Sequence, residues 1–259
     1  MPEDLSDLIS MTRTLGQPAM DYVIIGEGNT SMRIDDASFY VKASGHQMHG
    51  ISEDGFVALR LAPMLAMLDD PPQTLSEQKR ITASAVLRTD ASGEGLSPSI
   101  EVSFHAMLLK DCDVRFVGHT HPTAVNQIMC SEYAADFALK RRFPDEVVLY
   151  GPQSVLVPYA DPGLPLAIIM RQRVHEFMAA HGEAPKLILL ENHGMIALGD
   201  SPTEILNITA MAVKAARIHV GALLTGKPTY LPEAEVWHVY RRPDEIHRRN
   251  LFVDGSTNR

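Results

Sequence analysis

Three histidines and one glutamate are the residues whose types and placement can do chemistry together in this chain. His119-Thr120-His121 closes the run Val114-Arg115-Phe116-Val117-Gly118. An extended backbone turns every second side chain to the same face, so both imidazoles point to one spot. Pro122 follows and fixes the exit of that strand. His193 emerges where a second apolar run, Leu187-Ile188-Leu189-Leu190, breaks at Asn192-His193-Gly194. Glu101 falls in the first turn of a helix predicted over residues 99 to 111, where an acid also complements the helix dipole. Together the four supply three neutral nitrogen donors and one carboxylate, a set that suits Zn2+, with Mn2+ or Co2+ as related choices. A cation placed where a strand passes into a helix can act as a Lewis acid on a substrate oxygen.

The elements that must position these residues are legible from periodicity and punctuation. Leu5, Leu8, Ile9 and Met11 recur at helical spacing, which predicts a helix over residues 3 to 15. Residues 22 to 25 read as a short strand, followed by the tight loop Gly26-Glu27-Gly28-Asn29-Thr30-Ser31 and another strand. Residues 38 to 43 and 55 to 61 read as further strands of an antiparallel meander. Ser97-Pro98-Ser99 supplies capping chemistry for the helix that carries Glu101. Beyond the strand at 114 to 121, a helix is expected over 122 to 141, short strands over 146 to 150 and 154 to 157, and a helix over 164 to 180. A strand pair follows at 186 to 198, then a long helix from 202 to 224 opened by Ser201, and a polar helix from 232 to 249 with a frayed tail. No repeat or Gly/Ser/Pro-rich linker marks a boundary. Residues 1 to 259 therefore read as a single α/β domain, with 226 to 259 as its helical extension.

Composition removes other classes of function. The chain has 259 residues, 45% hydrophobic and 21% charged, which is ordinary for a globular protein. A formal charge of −9 disfavours binding to nucleic acid, which needs clustered Lys and Arg. The basic runs Lys140-Arg141-Arg142 and Arg248-Arg249 read as solvated helix ends. Cys112 and Cys130 have no CxxC spacing, so no cysteine zinc site or disulfide framework is implied. The start Met1-Pro2-Glu3-Asp4 lacks the basic and apolar regions of a signal peptide, and no apolar stretch approaches the roughly 20 residues of a membrane span. A cytoplasmic protein with no membrane partner is expected.

Gly26-Glu27-Gly28-Asn29-Thr30-Ser31, Lys42-Ala43-Ser44-Gly45, Pro98-Ser99-Ile100-Glu101, His119-Thr120-His121-Pro122 and Asn192-His193-Gly194 occur in the order found in the class II aldolase/adducin family, which the chain resembles from about residue 5 to residue 225. The likeness is to its fuculose-1-phosphate and rhamnulose-1-phosphate aldolases and its ribulose-5-phosphate 4-epimerase. It implies a three-layer α/β/α fold with a largely antiparallel central sheet, zinc on His119, His121 and His193, and a homotetramer. It also implies that Glu101 is both near the metal and the acid/base residue, and that Gly28, Asn29, Ser44, Gly45 and Ser99 cradle a substrate phosphate.

The expected activity is metal-dependent aldol cleavage of a ketose phosphate such as a deoxyketose 1-phosphate, or of a related sugar acid. The products are dihydroxyacetone phosphate or a similar fragment plus an aldehyde, formed through a stabilised enediolate. A pentulose-phosphate epimerase, a dehydratase or decarboxylase, and a non-catalytic adducin-like module are the alternatives. The pattern departs in two places. Ile100 stands where the fuculose-phosphate branch has a second small hydroxyl residue, so the phosphate is held by fewer groups, or by Lys42, or is not there at all. That branch also uses a tyrosine, contributed across the subunit interface, as proton donor to the leaving aldehyde, for which Tyr150 and Tyr159 are candidates by neighbourhood. His105, one turn from Glu101 and on the same face, reads first as a packed helix histidine, with a hydrogen-bonding role beside Glu101 as the alternative.

Overall fold

Alternation along the strands sorts the core into two layers, one on each face of a single sheet. The sheet has seven strands: β1 (Asn29–Arg33), β2 (Ser38–Lys42), β3 (Phe56–Arg60), β4 (Phe116–Thr120), β5 (Val155–Val157), β6 (Leu187–Leu190) and β7 (Gly194–Gly199). They lie in the order β3-β2-β1-β4-β7-β6-β5. These elements come from a computed structural model that describes residues 5–87 and 96–254. Pairing is antiparallel throughout except for β5 and β6, which run parallel, so the sheet is mixed.

In β6, Leu187 and Leu189 enter one core layer, and Ile188 and Leu190 enter the other; Met195 and Ala197 against Ile196 and Leu198 do the same in β7. The helices are α1 (Ser6–Leu15), α2 (Leu61–Asp69), α3 (Leu75–Ala85), α4 (Val102–Asp111), α5 (Thr123–Met129), α6 (Ala134–Leu139), α7 (Pro144–Tyr150), α8 (Leu164–His181), α9 (Pro202–Thr225), α10 (Glu233–Arg241) and α11 (Pro243–Asp254), of which α10 and α11 pack on α7 and α9 rather than on the sheet. Leu8 and Leu15 of α1, Ile128 of α5 and Ile205 of α9 fill the first layer, whereas Met64 of α2, Phe104 and Leu108 of α4 and Met170 of α8 fill the second. Each fully buried Leu, Ile, Phe or Met contributes about 1.5–3 kcal/mol relative to exposure. The result is the expected three-layer α/β/α arrangement.

Several expectations need correction. Residues 22 to 25 form no strand: Asp21 and Ile25 adopt positive φ (57° and 53°), which breaks the extended backbone, and the segment is a loop. Residues 146 to 150 belong to α7, because Pro144 at the first turn and the acids Asp145 and Glu146 start a helix that overrides the β preference of Val147 and Val148. The segment from 122 to 141 is two short helices, α5 and α6, separated near Ser131. The C-terminal helix is likewise two, since Arg242 is extended ahead of Pro243. Helices α2 and α3 were not expected; α3 opens on the capping sequence Thr74-Leu75-Ser76-Glu77, whose Thr74 hydroxyl accepts from the Glu77 N–H, a start signal that sequence reading passed over. The expected helix start at residues 3 and 4 and the tail after 254 lie outside the described residues.

Arg141 is no solvated helix end. It is fully buried and donates to the Gly151 and Ala138 carbonyls and to Ser154 Oγ, while Arg142 pairs with buried Glu146 at 2.5 Å. The expectation about apolar stretches also changes. The helix α9 is long and apolar enough to cross a membrane by composition alone, with a mean hydropathy of 1.2. Ile205, Ile208, Ala212 and Ala216 on it are nonetheless buried against the sheet, as in a core helix.

Candidate metal centre

The register of three neighbouring strands brings the histidines to one end of the sheet. His119 lies on β4 directly opposite Asn29 of β1 and Ile196 of β7. It shares the face of Val117, the layer under α4, and is fully buried with its ring edge-on to Phe104. His121 follows on the same face just past the strand end. His193 sits in the β6–β7 turn, where Asn192 takes a positive φ of 55° and Asn126 Nδ2 donates to the His193 carbonyl at 3.0 Å. The three ring centroids are 4.7, 5.0 and 4.9 Å apart, and a ligand atom from each ring lies within 4.8 Å of the other two.

Hydrogen bonding settles which nitrogen of His119 faces inward. Its Nδ1 donates to the Met195 carbonyl at 2.9 Å, so Nε2 carries the free lone pair. That Nε2 is 2.9 Å from Nε2 of His121, whose Nδ1 lies 3.8 Å from Glu27 Oε1 on its other side. Burial, reinforced by the neighbouring imidazoles, pushes the pKa of His119 and of His121 down to about 3, and burial lowers that of His193 as well. All three are thus neutral donors at physiological pH.

Glu101 occupies the N-cap position of α4 rather than its first turn. Its carboxylate is 6% exposed, with Oε2 3.4 Å from His119 Nε2 and Oε1 3.4 Å from His193 Nε2. Oε2 accepts from Asn29 Nδ2 at 2.8 Å, whereas buried Oε1 accepts no hydrogen bond. A bare carboxylate oxygen among three imidazole nitrogens is a donor set that fits a divalent cation, in the three-nitrogen, one-oxygen combination typical of zinc and its neighbours.

The five positions expected to hold a phosphate gather at the same end of the sheet. Asn29 Nδ2 also donates to Ser99 Oγ at 3.0 Å. Ser44 N donates to the Ser97 carbonyl and Ser99 N to that of Lys42, which sets the exposed Ser44-Gly45 loop beside Ser99. Gly28 has φ +69°, and a Cβ there would meet the His119 carbonyl at 2.8 Å, so only glycine fits. Lys42 is 3% exposed, close enough to Glu101 for their charges to interact, and burial lowers its pKa. Ile100 is 65% exposed and offers no donor.

Of the two tyrosines, Tyr150 is fully buried against Arg141, with burial raising its pKa, and its polar neighbours are Arg141, Arg142 and Glu146 rather than the histidines. Tyr159 is exposed and donates to Asp161 at 3.2 Å. Sequence reading passed over Glu27 as a neighbour of His121; the signal available was its place in the loop leading into β1. It also named no partners for His105, which are Ser31 and Asn29.

Gly194, next to His193, is a structural requirement of the centre. A Cβ there would stand 2.5 Å from the Thr120 carbonyl and 2.8 Å from His121 Cδ2. Gly194→Ala is expected to destabilise the protein by roughly 1–3 kcal/mol, as overpacking does, and to displace the His121 ring. A thermal melt together with zinc content after dialysis checks this; unchanged values of both would contradict it.

Residues 6–220 match the model of the class II aldolase and adducin N-terminal domain. The chain is 24% identical over 230 residues to the uncharacterized oxidoreductase YuxG of Bacillus subtilis, covering 85% of this chain but only 30% of that protein. It is 25% identical over 217 residues to the 3-oxo-tetronate 4-phosphate decarboxylase of Haemophilus influenzae, covering 83% of this chain and 86% of the relative. Among solved structures, an L-fuculose 1-phosphate aldolase superposes with a TM-score of 0.67 at 18% identity, over 90% of this chain and 92% of the other. With the family model spanning most of its length, the chain belongs to the class II aldolase and adducin N-terminal domain family.

Proposed function

We propose that this protein is an enzyme that holds a divalent cation, zinc or a close relative, on His119, His121 and His193 with Glu101 beside it, and that it breaks a carbon–carbon bond next to a carbonyl. The substrate class is a small hydroxylated anion, a ketose phosphate or a related sugar acid. The observation that carries the reading is the convergence of three neutral imidazoles and the bare Oε1 of Glu101. A cation so held supplies Lewis-acid stabilisation for the negative charge left when the bond breaks.

The protein's own groups account for the remaining needs. Ser99 Oγ accepts from Asn29 Nδ2 at 3.0 Å, which leaves its hydroxyl hydrogen, together with that of exposed Ser44, to receive an anionic group. Lys42 adds a positive charge behind them. Glu101 is the carboxylate that can move a proton to or from the reacting carbon, since both of its oxygens already face the imidazoles. In aldol cleavage the departing hydroxyl loses a proton and the remaining carbon gains one.

A second reading, decarboxylation of a 3-oxo acid, is favoured by one observation, the similarity over most of both chains to a 3-oxo-tetronate 4-phosphate decarboxylase. Release of carbon dioxide needs no proton taken from a leaving hydroxyl. The test is mass-spectrometric product analysis of the zinc-loaded protein on ketose 1-phosphates, sugar acids and phosphorylated 3-oxo acids. Aldehyde plus triose supports the aldolase, and a ketone one carbon shorter supports the decarboxylase. Interconversion of pentulose phosphates without cleavage would replace both by an epimerase.

A further inference from the structure

His105 is a fully buried polar residue one turn along α4 from Glu101, and a packed core position would be served as well by leucine. Instead, both of its ring nitrogens are engaged by β1. Nδ1 lies 2.7 Å from Ser31 Oγ, and Nε2 meets Asn29 Oδ1 in a short contact. Ser31 and Asn29 are two residues apart on one strand and so project from the same face toward α4.

The chemistry of the partners fixes every proton in this chain. Glu101 is a carboxylate acceptor, so the group of Asn29 that faces it must be the amide NH2, which also donates to Ser99 Oγ. The Asn29 oxygen therefore turns to His105 and requires a donor there, which places the imidazole proton on Nε2. Nδ1 is left as an acceptor and takes the Ser31 hydroxyl proton. Burial, then the proximity of His119, pushes the His105 pKa down to about 3, which keeps the ring in this neutral form.

We propose that His105 is a positioning residue: by presenting Nε2–H to Asn29 it locks the Asn29 amide with its NH2 toward Glu101 and Ser99. One residue thereby sets the carboxylate of the metal centre and the hydroxyl of the anion site together. Without that donor, the Asn29 amide is free to turn over and set its oxygen against a carboxylate, a contact that repels. The consequence for cation binding rests on the proposed role of Glu101, whereas the lock itself does not.

Two measurements test it. In metal-free protein, long-range proton–nitrogen correlation of the His105 ring is expected to show a protonated Nε2 and a bare Nδ1; the opposite tautomer would overturn the lock whatever the protein binds. Zinc affinity is then measured by chelator competition for wild type, His105→Leu and His105→Gln. Removal of an outer partner of a metal site costs roughly 10–100-fold in affinity, and that loss is expected for His105→Leu. His105→Gln, which keeps a donor toward Asn29, is expected to recover most of it. Equal affinity in all three proteins would overturn the proposal, and so would a glutamine variant no better than leucine. If His105→Leu fails to fold, the tautomer and the glutamine variant still decide. Absence of zinc binding in wild type would remove the cation reading and leave the tautomer as the sole judge of the lock.

Discussion

Replacing His119 by alanine is expected to abolish cation retention. Wild-type protein dialysed against a weak chelator should keep about one zinc, manganese or cobalt ion per chain, the stoichiometry of a three-histidine site. The variant should keep essentially none. Among the three histidines, His119 has its ring most fully committed: it is completely buried, its Nδ1 proton is spent on the Met195 carbonyl, and its Nε2 is within 3.4 Å of both the His121 ring and Glu101. Loss of a direct ligand must exceed the roughly 10–100-fold that loss of an outer partner costs. Because removing a buried ring also leaves a cavity, His193→Ala is the companion variant; its side chain is 12% exposed and sits on a turn rather than in the sheet. Elemental analysis with circular dichroism separates the two effects. Full stoichiometry in a folded His193→Ala protein would leave the proposed centre without support.

The local part of this centre was readable in the residues. The HxH pair needs only the period of a strand, and β4 delivers it; the break at Asn192-His193-Gly194 needs only a turn between two apolar runs, and the β6–β7 hairpin delivers that. What could not be read is what depends on register between distant segments. That Asn29 stands opposite His119, and that α4 docks on β1 so that His105 reaches Asn29 and Ser31, follows from strand pairing and helix packing set by the whole core. Hence His105 read first as a packing residue with no partner named, and Glu101 was placed in the first turn of a helix expected from residue 99, whereas α4 starts at Val102. The Lys140-Arg141-Arg142 run shows the same limit from the other side. Nothing in three consecutive basic residues announces that the middle one will be buried among backbone carbonyls and Ser154. The segment from 146 to 150 is a different kind of miss. Its start signal, a proline followed by two acids, was present and was outweighed by β-branched residues.

Glu101→Gln is expected to separate chemistry from binding. The glutamine keeps the size of the side chain, and its carbonyl oxygen can still accept from Asn29 Nδ2. It cannot carry a proton between donor and substrate, which is typically worth about 10²–10⁴-fold in rate. Three imidazoles remain, so the zinc content measured without chelator should stay close to that of wild type. The apo protein is expected to gain stability or lose none, because a buried carboxylate whose Oε1 accepts no hydrogen bond costs free energy that a neutral amide does not. Such a combination, a lower turnover with an equal or higher melting temperature, marks a residue retained for function against stability. Turnover on the substrate identified by product analysis is the deciding measurement. A variant as fast as wild type would show that Glu101 handles no proton. One that melted lower and was correspondingly slow would point to a carboxylate held for structure alone.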